Sequence, residues 1–157
     1  MTKSPHAPVP EQAAGTEAGT DGLHDNQLEP VDQASWPSVG DHTLLRTASG
    51  LLVAELHGDL DLATATHLRF WLDSLVAVAA PAYVVDLRPV SFVDSTGLSL
   101  LLRFRRRVTE TDRGFALLCD PGQLRLLRAH GSQDLLNPSV TPAEAMSGLM
   151  APAPRPR

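Results

Sequence analysis

The stretch Asp86-Leu87-Arg88-Pro89-Val90-Ser91-Phe92-Val93-Asp94-Ser95-Thr96-Gly97-Leu98 decides how this chain is read. With the residues before it, Tyr83–Leu87 makes a short apolar run rich in β-branched residues, the pattern of a buried central strand, closed by Pro89. Beyond it, Leu98, Leu101, Leu102 and Val108 recur at helical spacing, with Phe104 extending the stripe, which predicts a helix over 95–109. Ser95 and Thr96 therefore stand where a strand-to-helix connection meets a helix N-terminus, with unpaired N–H groups and the positive end of the dipole facing outward. Such a place tolerates anionic groups. Gly97 removes side-chain bulk in the first turn, which lets another backbone or a partner protein come close. Taken by itself, Asp94-Ser95-Thr96-Gly97 is read first as a helix cap.

Upstream, Leu44–Thr47 and Leu51–His57 read as two strands joined through Ser49-Gly50 as a hairpin, with Gly58 ending the second. Asp61 then stands as N-cap to a helix over 63–78, where Leu68, Trp71, Leu72, Leu75 and Val78 form the apolar stripe. Downstream, Phe115–Cys119 reads as another buried strand. Asp120 caps a helix over 121–130 with Pro121 in its first position, and Gly131 stops it. The stretch 134–140 is ambiguous and contains a short edge strand; Thr141 caps a last amphipathic helix over 142–150. The predicted order is β-β-α-β-α-β-α-β-α. This is an α/β fold whose leading hairpin makes the β-sheet mixed rather than wholly parallel, with amphipathic helices packed on it.

A chain of 157 residues supports one domain with a real core. Residues 1–42 hold Pro5, Pro8, Pro10, Pro30 and Pro37 with seven acidic residues, Glu11, Glu17, Asp21, Asp25, Glu29, Asp32 and Asp41, against one base, Lys3. Without apolar periodicity this acidic, proline-containing extension is read as disordered, with Trp36 a candidate to dock onto the domain. The Pro/Arg tail 151–157 is read as extended and solvated. The folded domain is then 43–150. A net charge of -5 argues against direct nucleic-acid binding, which usually needs a basic surface. The lone Cys119 excludes an intramolecular disulfide and a Cys-rich metal site. No apolar run suggests a signal peptide or a membrane span, and a cytoplasmic protein is expected.

Two blocks, in fitting spacing, carry a family resemblance. Gly58-Asp59-Leu60-Asp61, and Asp86-Leu87 through Phe92-Val93-Asp94-Ser95-Thr96-Gly97-Leu98, resemble the second-strand end and the phosphoacceptor loop of the STAS family, the domain of bacterial anti-sigma factor antagonists in sporulation and stress-response switches. The likeness extends weakly through Cys119-Asp120-Pro121 and Leu124, Leu126, Leu127 and Arg128, covering about Leu44 to Leu149. It implies a STAS-like fold and a phosphoprotein without a cofactor. On this resemblance the unphosphorylated protein is expected to bind an anti-sigma factor that is a serine kinase, which uses ATP to phosphorylate Ser95 and so releases it. The resemblance further implies that such partner switching regulates sigma-factor-dependent transcription and that a phosphatase resets Ser95. Asp61, Asp94, Thr96 and Gly97 map to the kinase-docking positions around it.

Other readings are weaker. A STAS module that binds partners without phosphorylation, as scaffold, sensor or transporter-associated domain, is the main alternative. A serine hydrolase is disfavoured, because Val93 stands where a nucleophile elbow wants glycine. His42, His57, His67 and His130 lack metal-ligand spacing, so no metal is expected. Arg103, Arg105, Arg106 and Arg107 are the densest basic cluster, for which a solvated helix C-terminal face is preferred over an ATP or partner contact. Cys119 reads as a small core hydrophobe.

Overall fold

The computed structural model describes residues 29–30 and 42–150. The leading hairpin is β2 (Thr43–Arg46) and β3 (Leu52–Glu55), paired antiparallel. Its turn is fastened by Thr47, whose N–H donates to Leu51 O at 3.0 Å and whose Oγ1 accepts from Leu51 N at 3.0 Å. Gly50 takes the left-handed φ of +88° that this turn needs. β5 (Ala82–Asp86) is buried at every position and lies parallel between β3 and β7 (Gly114–Leu118), as its unbroken apolar run requires. At the far edge β8 (Pro138–Ser139) joins β7 in parallel; at the near edge β1 (Glu29–Pro30) pairs antiparallel with β2. The six-stranded order is β1-β2-β3-β5-β7-β8, a mixed sheet as expected.

Helices cover both faces. α1 (Ala65–Leu75), α2 (Ser95–Thr109), α3 (Pro121–Ala129) and the short α4 (Gln133–Leu136) enclose the larger core. Alternate strand residues such as Leu52, Ala54, Tyr83, Val85 and Leu117 meet Leu68, Leu72, Leu101 and Phe104 there. Val53, Val84 and Ala116 point the other way and pack on Ala145 of α5 (Pro142–Met150). In α2 the buried stripe is Leu98, Leu101, Phe104 and Val108; Leu102 is only partly buried and belongs to the helix flank.

Four elements lie outside the expected order: β1, the short pair β4 (Gly58–Leu60) and β6 (Val90–Val93), and α4. Gly58 starts a strand rather than ending one. β4 and β6 form a separate parallel two-stranded sheet with a register shift between Gly58 and Asp59. Of residues 1–42, read as disordered, Glu29 and Pro30 are paired in β1; most of the remainder, with Trp36, lies outside the described residues, as does the 151–157 tail. Asp120 caps α3 as expected, its carboxylate accepting from Gln123 N at 2.7 Å while the Gln123 side chain accepts from Asp120 N at 2.9 Å. Among the described residues no helix is long and apolar enough to cross a membrane.

Candidate functional site around Ser95

The site is built where β4 and β6 end together. Leu60 and Val93 are register partners, so Asp61 and Asp94 leave the two strand ends side by side. Asp94 N–H donates to Leu60 O at 3.1 Å, carrying the pairing one residue further. The Asp94 side chain then turns to α2 and accepts from Gly97 N at 2.9 Å, the N-cap bond, while Leu98 N donates to Asp94 O at 3.0 Å to begin the helical ladder.

Gly97 is buried against β4. A Cβ there would lie 2.3 Å from Leu60 O and 2.8 Å from Leu60 Cβ, so its missing side chain serves an approach within the chain rather than a partner. Asp61 is not the N-cap of α1; that position belongs to Thr64, without a side-chain cap bond. Asp61 acts a turn earlier: its Oδ1 accepts from Thr64 N at 3.1 Å, and Thr64 Oγ1 accepts from Asp61 N at 3.1 Å. Asp competes in this way for local amides wherever the chain has room to turn before a helix starts.

Ser95 is the first residue of α2 and is exposed, while Asp94 and Thr96 are half-buried. Its carbonyl accepts from Ser99 Oγ at 2.9 Å, and its own hydroxyl has no hydrogen-bond partner among the described residues. A group added to that oxygen would break no internal bond. The five positions singled out by sequence, Asp61, Asp94, Ser95, Thr96 and Gly97, thus meet at one end of the β4–β6 pair.

Three further features frame the site. Asp86, 3% exposed, holds Arg88 bidentately, with Nε to Oδ1 at 3.0 Å and Nη2 to Oδ2 at 2.9 Å, and so fixes the turn into β6. The Asp86 hydrogen bond holds the Arg88 guanidinium protonated even more firmly than usual, against the opposing effect of burial. Gln123 reaches from α3 to donate to Leu87 O at 2.6 Å and Val90 O at 3.2 Å. Leu62 and Phe92, just past β4 and within β6, are 76% and 55% exposed. Their signal in the sequence was a large apolar side chain beside the loop acids, without a helical or alternating pattern to bury it. Among the described residues no group of His, Cys, Asp and Glu is placed to hold a metal.

The family profile of the STAS domain matches residues 42–145. The chain belongs to the STAS domain family. Among solved structures, this STAS domain is similar to an anti-sigma factor antagonist from Mycobacterium paratuberculosis, at TM-score 0.60 and 23% identity over 80% of this chain and 93% of that one. It is also similar to the anti-sigma factor antagonist SpoIIAA in its unphosphorylated form, at TM-score 0.51 and 21% identity over 78% and 93%. A Thermotoga maritima protein matches at TM-score 0.58 and 16% identity over 83% and 98%. At these identities the likeness is one of fold. No functionally curated protein matches the sequence.

Proposed function

We propose that this STAS domain is an anti-sigma factor antagonist switched at Ser95. Unphosphorylated, it binds an anti-sigma factor that is itself a serine kinase; phosphorylated on Ser95, it is released, and a phosphatase restores it. The observation that carries the reading is the exposed, unbonded Ser95 hydroxyl on the first turn of a 15-residue helix, directly after a half-buried carboxylate. The likeness in fold to anti-sigma factor antagonists supports it. Leu62 and Phe92 offer apolar surface on strand ends beside this turn, which suits a protein partner better than a small substrate.

The switch follows from charge. A phosphoserine brings about -1.5 to -2 charges and strong acceptor oxygens. In the free protein the positive end of α2 and water satisfy them, so the fold survives. A partner that covers Ser95 has to strip that dianion of water beside Asp94, with Asp61 on the adjoining strand end, at a cost above the ~1–3 kcal/mol of a typical coupling energy. The complex then comes apart.

The test is incubation with ATP, magnesium and each kinase-type anti-sigma factor encoded beside it, followed by intact mass and binding measurements. One added phosphate, absent in Ser95→Ala, and a complex lost on its addition are expected. A binding partner whose complex never carries phosphate would assign the domain to the unphosphorylated scaffold class instead.

A further inference from the structure

The arginines late in α2 divide into two sets. Towards α1, Asp73 is met by Arg107 Nη1 at 2.6 Å and Arg103 Nη2 at 3.2 Å, with Arg69 Nε at 4.0 Å. Arg103 and Arg107 thus share a single carboxylate on this side, although Arg103 also borders the cleft on the other. Towards α4 there is no such balance. Ser99, Leu102, Arg103, Arg105, Arg106 and Leu135 line an open cleft of about 470 Å³. Arg105 makes no ion pair among the described residues, and Arg106 Nε stands 3.7 Å from Glu110 Oε1 with both side chains about two-thirds exposed (71% and 66%). A pair so solvated holds Arg106 only weakly. Leu135 is 53% exposed on the opposite wall.

The cleft is also aligned with the switch. Ser95, Ser99, Leu102 and Arg106 fall at i, i+4, i+7 and i+11, one stripe down α2 of about 16 Å. Its upper end carries Ser95 next to Asp94; its lower end carries guanidinium groups flanking apolar side chains. In a chain of net charge -5 this is a local reversal of sign. Arg105 and Arg106 are adjacent in the sequence and share the lining with Leu102 and the exposed Leu135, so the cleft is basic and apolar together, which suits an acidic amphipathic segment better than a lone phosphate. The arginines are also too few to hold the domain on an anionic bilayer, where each contributes only about 1 kcal/mol.

We propose that this cleft seats an acidic amphipathic helix of the protein that binds at Ser95. An apolar side chain of that helix enters between Leu102 and Leu135, and its carboxylates face Arg105 and Arg106. Only the identity of the protein carrying the helix rests on the reading of Ser95; the chemistry of the cleft does not. A Ser95 phosphate lies on the same stripe, so it repels the acidic occupant as well as obstructing the contact above it.

The experiment titrates the full-length, 15N-labelled chain with two synthetic helical peptides of about 15 residues, long enough to span the stripe. They are identical except that one carries Glu and the other Lys on the face flanking a Leu. The Glu peptide is expected to shift the amides of Ser99, Leu102, Arg105 and Leu135. Its affinity should fall about tenfold or more between about 0.05 and about 0.5 M salt. The double variant Arg105→Glu/Arg106→Glu, and separately Leu135→Ser, should each weaken binding several-fold with melting temperature retained. The proposal is overturned if the Glu peptide binds no better than the Lys peptide, or if the shifted amides lie elsewhere. It is equally overturned if inorganic phosphate shifts the same amides as strongly while Leu135→Ser has no effect. Intact mass after kinase treatment reads Ser95 independently, so failure here is distinguishable from failure of the switch.

Discussion

Gly97 faces Leu60 so closely that a methyl group on its α-carbon would lie 2.3 Å from the Leu60 carbonyl oxygen. That oxygen also accepts from Asp94 N, so one carbonyl ties the end of β4 to both the cap and the first turn of α2. Gly97→Ala is therefore expected to destabilise the domain by roughly 1–3 kcal/mol, because the obstacle is backbone and cannot rotate away. An exposed helix would gain about 1 kcal/mol from the same change. Thermal unfolding checks it: Tm should fall by about 4 °C per kcal/mol in a domain of this size.

Asp94→Ala removes the acceptor for Gly97 N and should cost about 1 kcal/mol by urea unfolding. Asp94→Asn and Asp94→Ser keep an oxygen in that place and should recover most of the loss. If Asp94→Ala unfolds at the wild-type urea concentration, the cap bond contributes nothing.

Ser95→Asp places a carboxylate on the first turn of α2, where the dipole favours it by about 0.3–1 kcal/mol. Its Tm should equal or slightly exceed that of the wild type, and Ser95→Ala should stay within about 0.5 kcal/mol. Partner binding separates the two, with loss in Ser95→Asp and persistence in Ser95→Ala. A misfolded Ser95→Asp, seen by circular dichroism, would contradict the exposed placement of this residue.

The α2 helix was readable to its ends because Asp94 supplies a capping oxygen and the core stripe keeps period through Val108. β5 was readable because every residue in it is buried. β4 and β6 were not, since strands of 3 and 4 residues with exposed Asp59, Ser91 and Phe92 present no alternation to detect. Yet they are what sets Asp61 beside Asp94. The role of Gly97 was open for the same reason, because its neighbour Leu60 is 37 positions away in the chain. α4 escaped because its Ser132 makes no side-chain cap bond and Asn137 closes it in the left-handed region, φ 44°.

Cys119 is fully buried, and burial, followed by the charges of Asp120 and Asp86, pushes its thiol up to about 11. It should resist alkylation near neutral pH in the folded protein and react promptly once the chain is unfolded. Labelling at the same rate in both states would place this thiol on the surface.

Burial pushes the Asp73 carboxyl up, but hydrogen bonds and charges of Arg103 and Arg107 outweigh it and hold it below the ordinary carboxylate range. Its stabilising contribution is then present above the unfolded carboxylate pKa of about 3.9 and disappears as pH falls through the lower folded value. Asp73→Asn should be less stable than wild type at neutral pH by roughly 1 kcal/mol or less, with the gap closing below about pH 4. A gap that persists in acid would point to a packing defect.

Among the described residues both margins of the large sheet are two-residue strands that include proline, Glu29–Pro30 on one side and Pro138–Ser139 on the other. Proline has no amide hydrogen to offer, so each of these short strands is a poor template on which another chain could extend the sheet. Backbone pairing with a further strand is thereby discouraged at these two margins. Side-chain contacts around the β4–β6 ends and along α2, in contrast, can be made and broken one charge at a time.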